Sequence, residues 1–497
     1  MAGSDTPSIS SLSSGGPARG TVFALLAMVV DKGGGVVVLL LIARLLGADD
    51  FGRYAALMSL LAFFQIAAEF GQEPVLVRLL AQHRGADPEA RGLVQGALAM
   101  RFWLASVAGV ALVVVAPFVL TAVEREVLVV AACGLVASFG IALRAVFRTS
   151  QRLEALCVTA SIRIGIFALA FLIGHRFGLG FFAAVGGWVL GQLAASSTAA
   201  ILLRGWGLAR PRWDSSVVRL LGRSGWALAL NAFLLTATLR VGHLIVLNLD
   251  GPSAVGYLAA GAQLAEAFAL VPEAVMLALL PVLASYEVDA PEAQRALSVR
   301  TTRWFVLLAL PAVILVSIPA PHLLALLYGS EFAAGTPALR ILAWLALLAA
   351  TGTVFTNVMI ARGLERSLLG INAVASVLTL SLSLVLIPRF GFQGAALATL
   401  VASATAQAIL LGLPSMRHDV VLCLRPLVGP VVLAGLLVAL GVTVGGSSAV
   451  ATVGALATFG ILVLATGVVD RRDWEGIQQA FRGLRGGKSP VDGAPKR

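Results

Sequence analysis

About fourteen runs of roughly 20 apolar residues follow one another along this chain of 497 residues, parted by short polar breaks, and a run of that length is what an α-helix needs to cross a bilayer. No other feature limits the possible folds so strongly. With this many spans, little length remains for a soluble domain. The chain is 59% hydrophobic and only 12% charged, about half the roughly 25% charge of soluble domains. The expectation is an all-α polytopic membrane protein. Its first span is expected to be uncleaved, after a polar, Ser/Gly-rich tail at residues 1–20.

Charge placement sets the expected orientation. Of the 36 lysines and arginines, 26 fall in alternate connections on one side, six fall on the other, and four (Lys32, Arg101, Arg163 and Arg240) lie inside spans. Basic residues favour the cytoplasmic side of short loops, so both termini are expected in the cytoplasm. The net charge of +11 then serves topology and anionic lipid rather than nucleic acid.

The chain also repeats itself. Gly47, Gly52, Ala55 and Glu69 are matched 204 positions later by Gly251, Gly256, Ala259 and Glu273. Arg176-Phe177-Gly178 returns as Arg389-Phe390-Gly391, and Arg148 and Arg152 return as Arg362 and Arg366. Three echoes in one order suggest two homologous helical halves. The expected organisation is a first half at 21–204, a cytoplasmic linker at 205–224, a second half at 225–413, two further spans at 414–469, and a tail at 470–497. Within the linker, Trp213–Leu221 reads as an interfacial helix. A second surface-lying helix is expected in the tail, where Trp474, Ile477, Phe481 and Leu484 share a face.

Charges inside spans are the candidate functional residues. A charge at a helix centre costs about 2.5–3.5 kcal/mol on insertion scales and faces a bundle interior or a cavity. Asp31 and Lys32 sit near the middle of the first run, followed by three glycines at 33–35. Neighbours in sequence point about 100° apart on a helix, so they are poorly placed to pair with each other. Lys32, Arg101, Arg163 and Arg240 could line a cationic chamber, since guanidinium groups suit phosphate oxygens. The alternative is pairing with Glu69, Glu73, Glu266 or Glu273. Asp31, Glu69 and Glu273 are candidates for ion coupling or for structural pairing. The three cysteines and five histidines are scattered, which points to no metal site and no disulfide. Gly486-Gly487-Lys488-Ser489 lacks the first glycine and the preceding strand of a phosphate-binding loop. Gly187 and Gly191 read as close helix packing.

Three stretches carry a family resemblance: Ala43–Arg78, Ala254–Ser285 and Leu323–Leu400. They resemble the polysaccharide-transporter, O-antigen flippase-like branch of the multidrug/oligosaccharidyl-lipid/polysaccharide exporter superfamily, over roughly residues 20–415. The resemblance implies twelve core helices in two six-helix lobes around a central cavity, here with two extra C-terminal helices. It also implies alternating access and non-enzymatic export of an undecaprenyl-diphosphate-linked oligosaccharide across the bacterial cytoplasmic membrane. No cofactor is implied; coupling to a proton, a sodium ion or the membrane potential is open. Partners would be the lipid-linked glycan, membrane lipids, a polysaccharide polymerase and glycosyltransferases. The family often carries Arg-x-Asp on its seventh helix. Here the run is Arg240-Val241-Gly242, which favours an unpaired, substrate-facing Arg240. Competing readings are a peptidoglycan lipid-precursor flippase, a multidrug/cation antiporter of the same superfamily, and a membrane glycosyltransferase.

Overall fold

The structure is a computed structural model that describes residues 26–83, 87–120, 123–150, 152–204, 211–289, 291–444 and 448–465. The expected tail at 1–20 and the expected surface helix around Trp474–Leu484 lie outside these residues. A π-helical turn, Val29–Gly33, leads into α1 (Gly34–Glu69), α2 (Gln72–Leu80), α3 (Pro88–Val119), α4 (Arg125–Ala137), α5 (Ile141–Thr149), α6 (Leu153–Arg176) and α7 (Gly180–Leu202). The second half holds α8 (Ser215–Asp250), α9 (Pro252–Asp289), α10 (Pro291–Ser317), α11 (Ala320–Leu327), α12 (Thr336–Leu342), α13 (Leu345–Ala361), α14 (Glu365–Phe390) and α15 (Phe392–Ile409). Three more follow: α16 (Pro414–Leu424), α17 (Val428–Thr443) and α18 (Ala449–Ala465). The protein is an all-α polytopic membrane protein. Among the described residues, 11 helical segments are long and apolar enough to span, or 12 if the pair bent by 40° around residues 343–344 is one span.

One difference from the sequence reading has a local cause. The stretch Trp213–Leu221 is no separate interfacial helix. Asp214 caps the first turn, accepting from the Ser216 amide at 2.8 Å, and the helix then runs unbroken through α8 to Asp250. Its 36 residues extend about 54 Å, well beyond an apolar core about 30 Å thick. Further on, α10 and α11 are parted around Ile318-Pro319, where proline removes a backbone donor.

The segment from Leu26 to Leu80 has 55 residues and would be roughly 80 Å long as one straight helix. It breaks at two places. Gly47 sits at φ 80°, ψ 176°, in a region that essentially only glycine occupies. Phe70 and Gly71 then both turn left-handed, at φ 47° and 67°. Gly251 holds nearly the same conformation as Gly47, at φ 85°, ψ 178°. The sequence echo at an offset of 204 is therefore an echo of backbone shape.

After each break the two equivalent helix segments cross closely. A Cβ on Gly52 would lie 1.8 Å from the Pro252 carbonyl oxygen, and one on Gly256 would lie 2.3 Å from that of Ala48. Ser253 Oγ meets Asp49 Oδ1 at 3.1 Å, so residues that are themselves equivalent touch. The crossing is buttressed from α11 and the turn after it. Glu331 accepts the Ala48 amide at 3.0 Å, Arg44 donates to the Leu326 carbonyl at 3.1 Å, and Phe51 packs against Phe332 with ring centroids 5.9 Å apart. Lipid tails give apolar helices little reason to associate, so such close packing and interhelical hydrogen bonding hold membrane helices together.

A second close approach lies about 28 Å further along the helix, roughly the thickness of the apolar core. There a Cβ on Gly71 would lie 2.5 Å from the Gly225 carbonyl oxygen, and one on Gly225 would lie 2.4 Å from that of Phe70. The halves thus touch near both ends of the span. Within the first half, α6 and α7 pack backbone to backbone, with the Gly187 and Gly191 Cβ positions 2.9 Å and 2.7 Å from the carbonyls of Phe167 and Arg163.

Gly52→Val is expected to destabilise the fold by at least about 1–3 kcal/mol through overpacking, read as a fall in thermal midpoint of the purified protein. Gly92→Ala, which meets no atom within 4 Å, is expected to leave the midpoint unchanged or raise it. Equal midpoints for Gly52→Val and wild type would contradict the crossing.

Candidate functional site

The first charges to enter the apolar interior are those of the π-helical turn. Its wider winding, which ends on Gly33 and is followed by Gly34 and Gly35, sets Asp31 and Lys32 on a segment with no buried residue. The two side chains part, each toward a partner. Asp31 turns to Arg163 on α6, whose Nη2 and Nε donate to Asp31 Oδ1 at 2.6 and 3.2 Å. The guanidinium also reaches the Asp31 carbonyl at 3.4 Å. Gly34 makes this approach possible, since a Cβ there would lie 3.1 Å from Ile164 Cγ2.

Lys32 turns the other way and pairs with Glu273 on α9. This ion pair joins the first half of the chain to the second. Its side chains remain 46% and 41% exposed, although each follows or interrupts a long apolar run. On α8, Arg240 pairs with Glu266 of α9 at 3.1 Å, also half-exposed. Lys32 and Arg240 are thus both held by carboxylates of one helix, two turns apart. The absence of an acidic residue just after Arg240 does not leave it unpaired, because α9 supplies Glu266 from the side.

The remaining candidates are elsewhere. Arg101 on α3 is 1% exposed. Its Nη2 donates to Ser138 Oγ at 3.0 Å and its Nε to the Ser138 carbonyl at 3.3 Å. Glu69, at the end of α1, is half-buried within electrostatic reach of Arg101, Arg144 and Arg148. The neighbouring Glu73 pairs with Arg148 at 3.2 Å. These residues form a polar cluster in the first half. Glu69 and Glu273 hold equivalent repeat positions, yet they have different partners. Among the described residues, no cluster of His, Cys, Asp and Glu could hold a metal.

Sequence reasoning missed a second polar centre. Asp419 on α16 is 4% exposed. It pairs with Arg295 of α10, and with Arg362 at 2.7 Å. Arg362 also donates to Gln294 Oε1 at 3.0 and 3.1 Å and to the Ser415 carbonyl at 2.9 Å. The usable signal was a lone acidic residue in the basic stretch Arg417–Arg425; its partners, 124 and 57 positions away, carry no local signature.

Residues 41–337 match the family described as polysaccharide biosynthesis protein, more than half of the chain. No curated protein matches the sequence. Solved structures share the fold at low identity. The inward closed conformation of the lipid II flippase MurJ is 13% identical, with a TM-score of 0.62 over 90% of this chain and 99% of that one. The inward-facing conformation of a MATE family multidrug resistance transporter of the MOP superfamily is 13% identical, with a TM-score of 0.56 over 81% and 94%. A MOP superfamily transporter from Pyrococcus furiosus, described by a reverse polarity of its binding pocket, is 14% identical, with a TM-score of 0.56 over 84% and 99%.

The two kinds of ion pair differ in cost. Asp31→Asn is expected to lower stability by about 1–3 kcal/mol, because it leaves a largely buried guanidinium with a poorer partner. Glu273→Gln is expected to cost no more than about 1 kcal/mol, as for exposed pairs. Thermal unfolding of both variants checks the order, and the reverse order would contradict it.

Proposed function

This chain belongs to the polysaccharide biosynthesis protein family, and from that premise we propose that it carries a lipid-diphosphate-linked oligosaccharide from the cytoplasmic to the outer leaflet of a bacterial cytoplasmic membrane by alternating access. The observation that carries the proposal is the Lys32–Glu273 pair, a partly open salt bridge between the halves, with Arg240–Glu266 beside it. Exposed charge halfway along apolar helices is tolerated only next to water or protein. In this reading the two pairs therefore face a hydrated chamber between two lobes, 21–204 and 225–413. Lys32 and Arg240 are the substrate-facing cations. Arg163 holds the π-turn in place through Asp31, and Arg101 supports the first lobe from behind.

The reading completes the span count at fourteen. Leu26–Leu80 counts as two spans because it breaks at Gly47, the bent pair Ser330–Ala361 counts as one, and α18 closes the series. With the N-terminus inside, the arginine-rich connections are cytoplasmic. The Gly52–Gly256 crossing is then an outer seal and the Gly71–Gly225 approach an inner one.

The chemistry is an exchange of partners. A diphosphate brings at least two negative charges and can replace Glu273 at Lys32 and Glu266 at Arg240. Releasing Lys32 from Glu273 also unties the lobes, so binding and rocking are linked. The freed carboxylates are then left beside an anion, which favours uptake of protons or another cation. An inside-negative potential adds about 2.3 kcal/mol per uncompensated charge per 100 mV in the outward direction. A second reading, export of a peptidoglycan lipid precursor, shares the lipid diphosphate. It gains from the fold likeness to a lipid II flippase. Cell lysis on depletion would favour it, and loss of a surface polysaccharide would favour the first.

The test is translocation in proteoliposomes, following access of an added glycosidase to a lipid-diphosphate oligosaccharide placed in one leaflet. Lys32→Gln and Arg240→Gln are each expected to slow flipping roughly tenfold or more, the loss of about one charge-assisted contact. Cation efflux by folded wild-type protein, without flipping of any lipid-linked glycan, would overturn the proposal in favour of an antiporter.

A further inference from the structure

Phe233 and Arg240 stand seven residues apart on α8. On a helix this is two turns less about 20°, with a rise of about 10.5 Å, so the two side chains share one face. Phe233 is 44% exposed. Exposure of a phenyl ring inside a membrane decides nothing by itself, because lipid tails accept it as readily as protein does. The shared face does decide. A guanidinium within a span faces a bundle interior or a cavity, and Phe233 faces the same way as Arg240. Leu235, also exposed, points about 160° away from Phe233. The ring is held from the other half of the chain as well. Phe63 of α1 meets it edge to face, with ring centroids 5.2 Å apart and 62° between the planes. Such a contact engages at most one face of each ring. Phe63 and Phe233 each lie about 12 Å along their helices from the Gly71–Gly225 approach, so on α8 the aromatic pair stands between that approach and Arg240.

We propose that Phe233, braced by Phe63, is a stacking platform for a sugar ring of the cargo, an inference that rests on the proposed transport of a lipid-diphosphate-linked glycan. The apolar C–H face of a pyranose suits the negative face of a phenyl ring, as the positive edge of another aromatic ring does. The position suits it too. A diphosphate held at Arg240 brings the first sugars it carries within the 10.5 Å or so that separates the two residues on their shared face. Stacking there displaces no partner, since the exposed part of Phe233 is already open. The cations alone would hold any lipid diphosphate, glycosylated or bare. The ring adds a preference for one that carries a glycan. A phenyl group has no donor or acceptor to match to a particular hydroxyl, so this preference tolerates many sugars, as aromatic platforms tolerate every base in single-stranded nucleic acid.

The experiment measures binding of two probes by the purified full-length chain in neutral detergent, using native mass spectrometry. One probe is a prenyl diphosphate carrying an oligosaccharide, and the other is the same prenyl diphosphate without sugar. The wild type is expected to bind the glycosylated probe roughly tenfold more tightly, the effect of about one stacked ring. Phe233→Leu keeps apolar bulk but removes the ring. It is expected to lose that preference while binding the bare probe as wild type does. Phe233→Trp is expected to keep the preference, and Leu235→Ala, on the opposite face, to match wild type. Equal binding of the two probes by wild type, an intact preference in Phe233→Leu, or an equal loss for both probes in that variant would overturn the inference and leave the transport proposal standing. Binding of neither probe by folded wild type would overturn both. Should Phe233→Leu fail to fold, a photoactivatable group on the glycan decides with wild-type protein. Label within residues 226–240 or 59–67 is expected, and label only elsewhere overturns the inference.

Discussion

Everything else in this molecule depends on two glycines that let one helix segment cross another at backbone distance. Gly52 and Gly256 have no room for a side chain, and the breaks at Gly47 and Gly251 aim the two segments at each other with nearly identical torsions. A membrane interior offers no hydrophobic drive for helix association. Contact must come from fit and from hydrogen bonds, and this crossing has both. The halves of the chain are thereby held as a pair, and the side chains further along α1, α8 and α9 are brought opposite one another.

That arrangement explains why the charges in the spans are balanced rather than bare. Three cations face three carboxylates as Asp31–Arg163, Lys32–Glu273 and Arg240–Glu266. An unpaired charge would carry most of its desolvation cost, whereas a pair left partly open keeps much of its hydration. The Lys32 pair is the one of the three that spans the halves. A ligand able to compete for Lys32 therefore acts on the relation between the halves as well as on a binding site. An anionic ligand would act at Lys32 and a cationic one at Glu273; the proposed lipid-diphosphate cargo is the choice that suits a family concerned with polysaccharide biosynthesis.

The repeat was legible because glycine torsions leave fixed residues behind, and the offset of 204 located both breaks. Gly187 and Gly191 were legible for a different reason, the lack of room for a Cβ where two helices pack backbone to backbone. Charged residues inside the apolar runs announced themselves by their cost. Their partners did not, since pairing depends on how each helix is rotated about its axis. Arg240 finds Glu266 from a neighbouring helix, Arg101 settles on Ser138, and Asp419 gathers two arginines from distant helices. The continuity of α8 was also hidden. The stretch Trp213–Leu221 read as an interfacial helix of its own, but a helix can leave the bilayer without ending, and no residue there breaks it.

The central claim is that the crossing of the two equivalent segments parts during transport of a lipid-linked glycan. Asp49 and Ser253 meet there at 3.1 Å, which makes them the natural pair for a reversible tether. The most direct measurement is glycan flipping in proteoliposomes by the D49C/S253C variant, before and after oxidation. The account expects flipping under reducing conditions, arrest once the cross-link has formed, and recovery on adding reductant. Undiminished flipping with the cross-link quantitatively in place would contradict it.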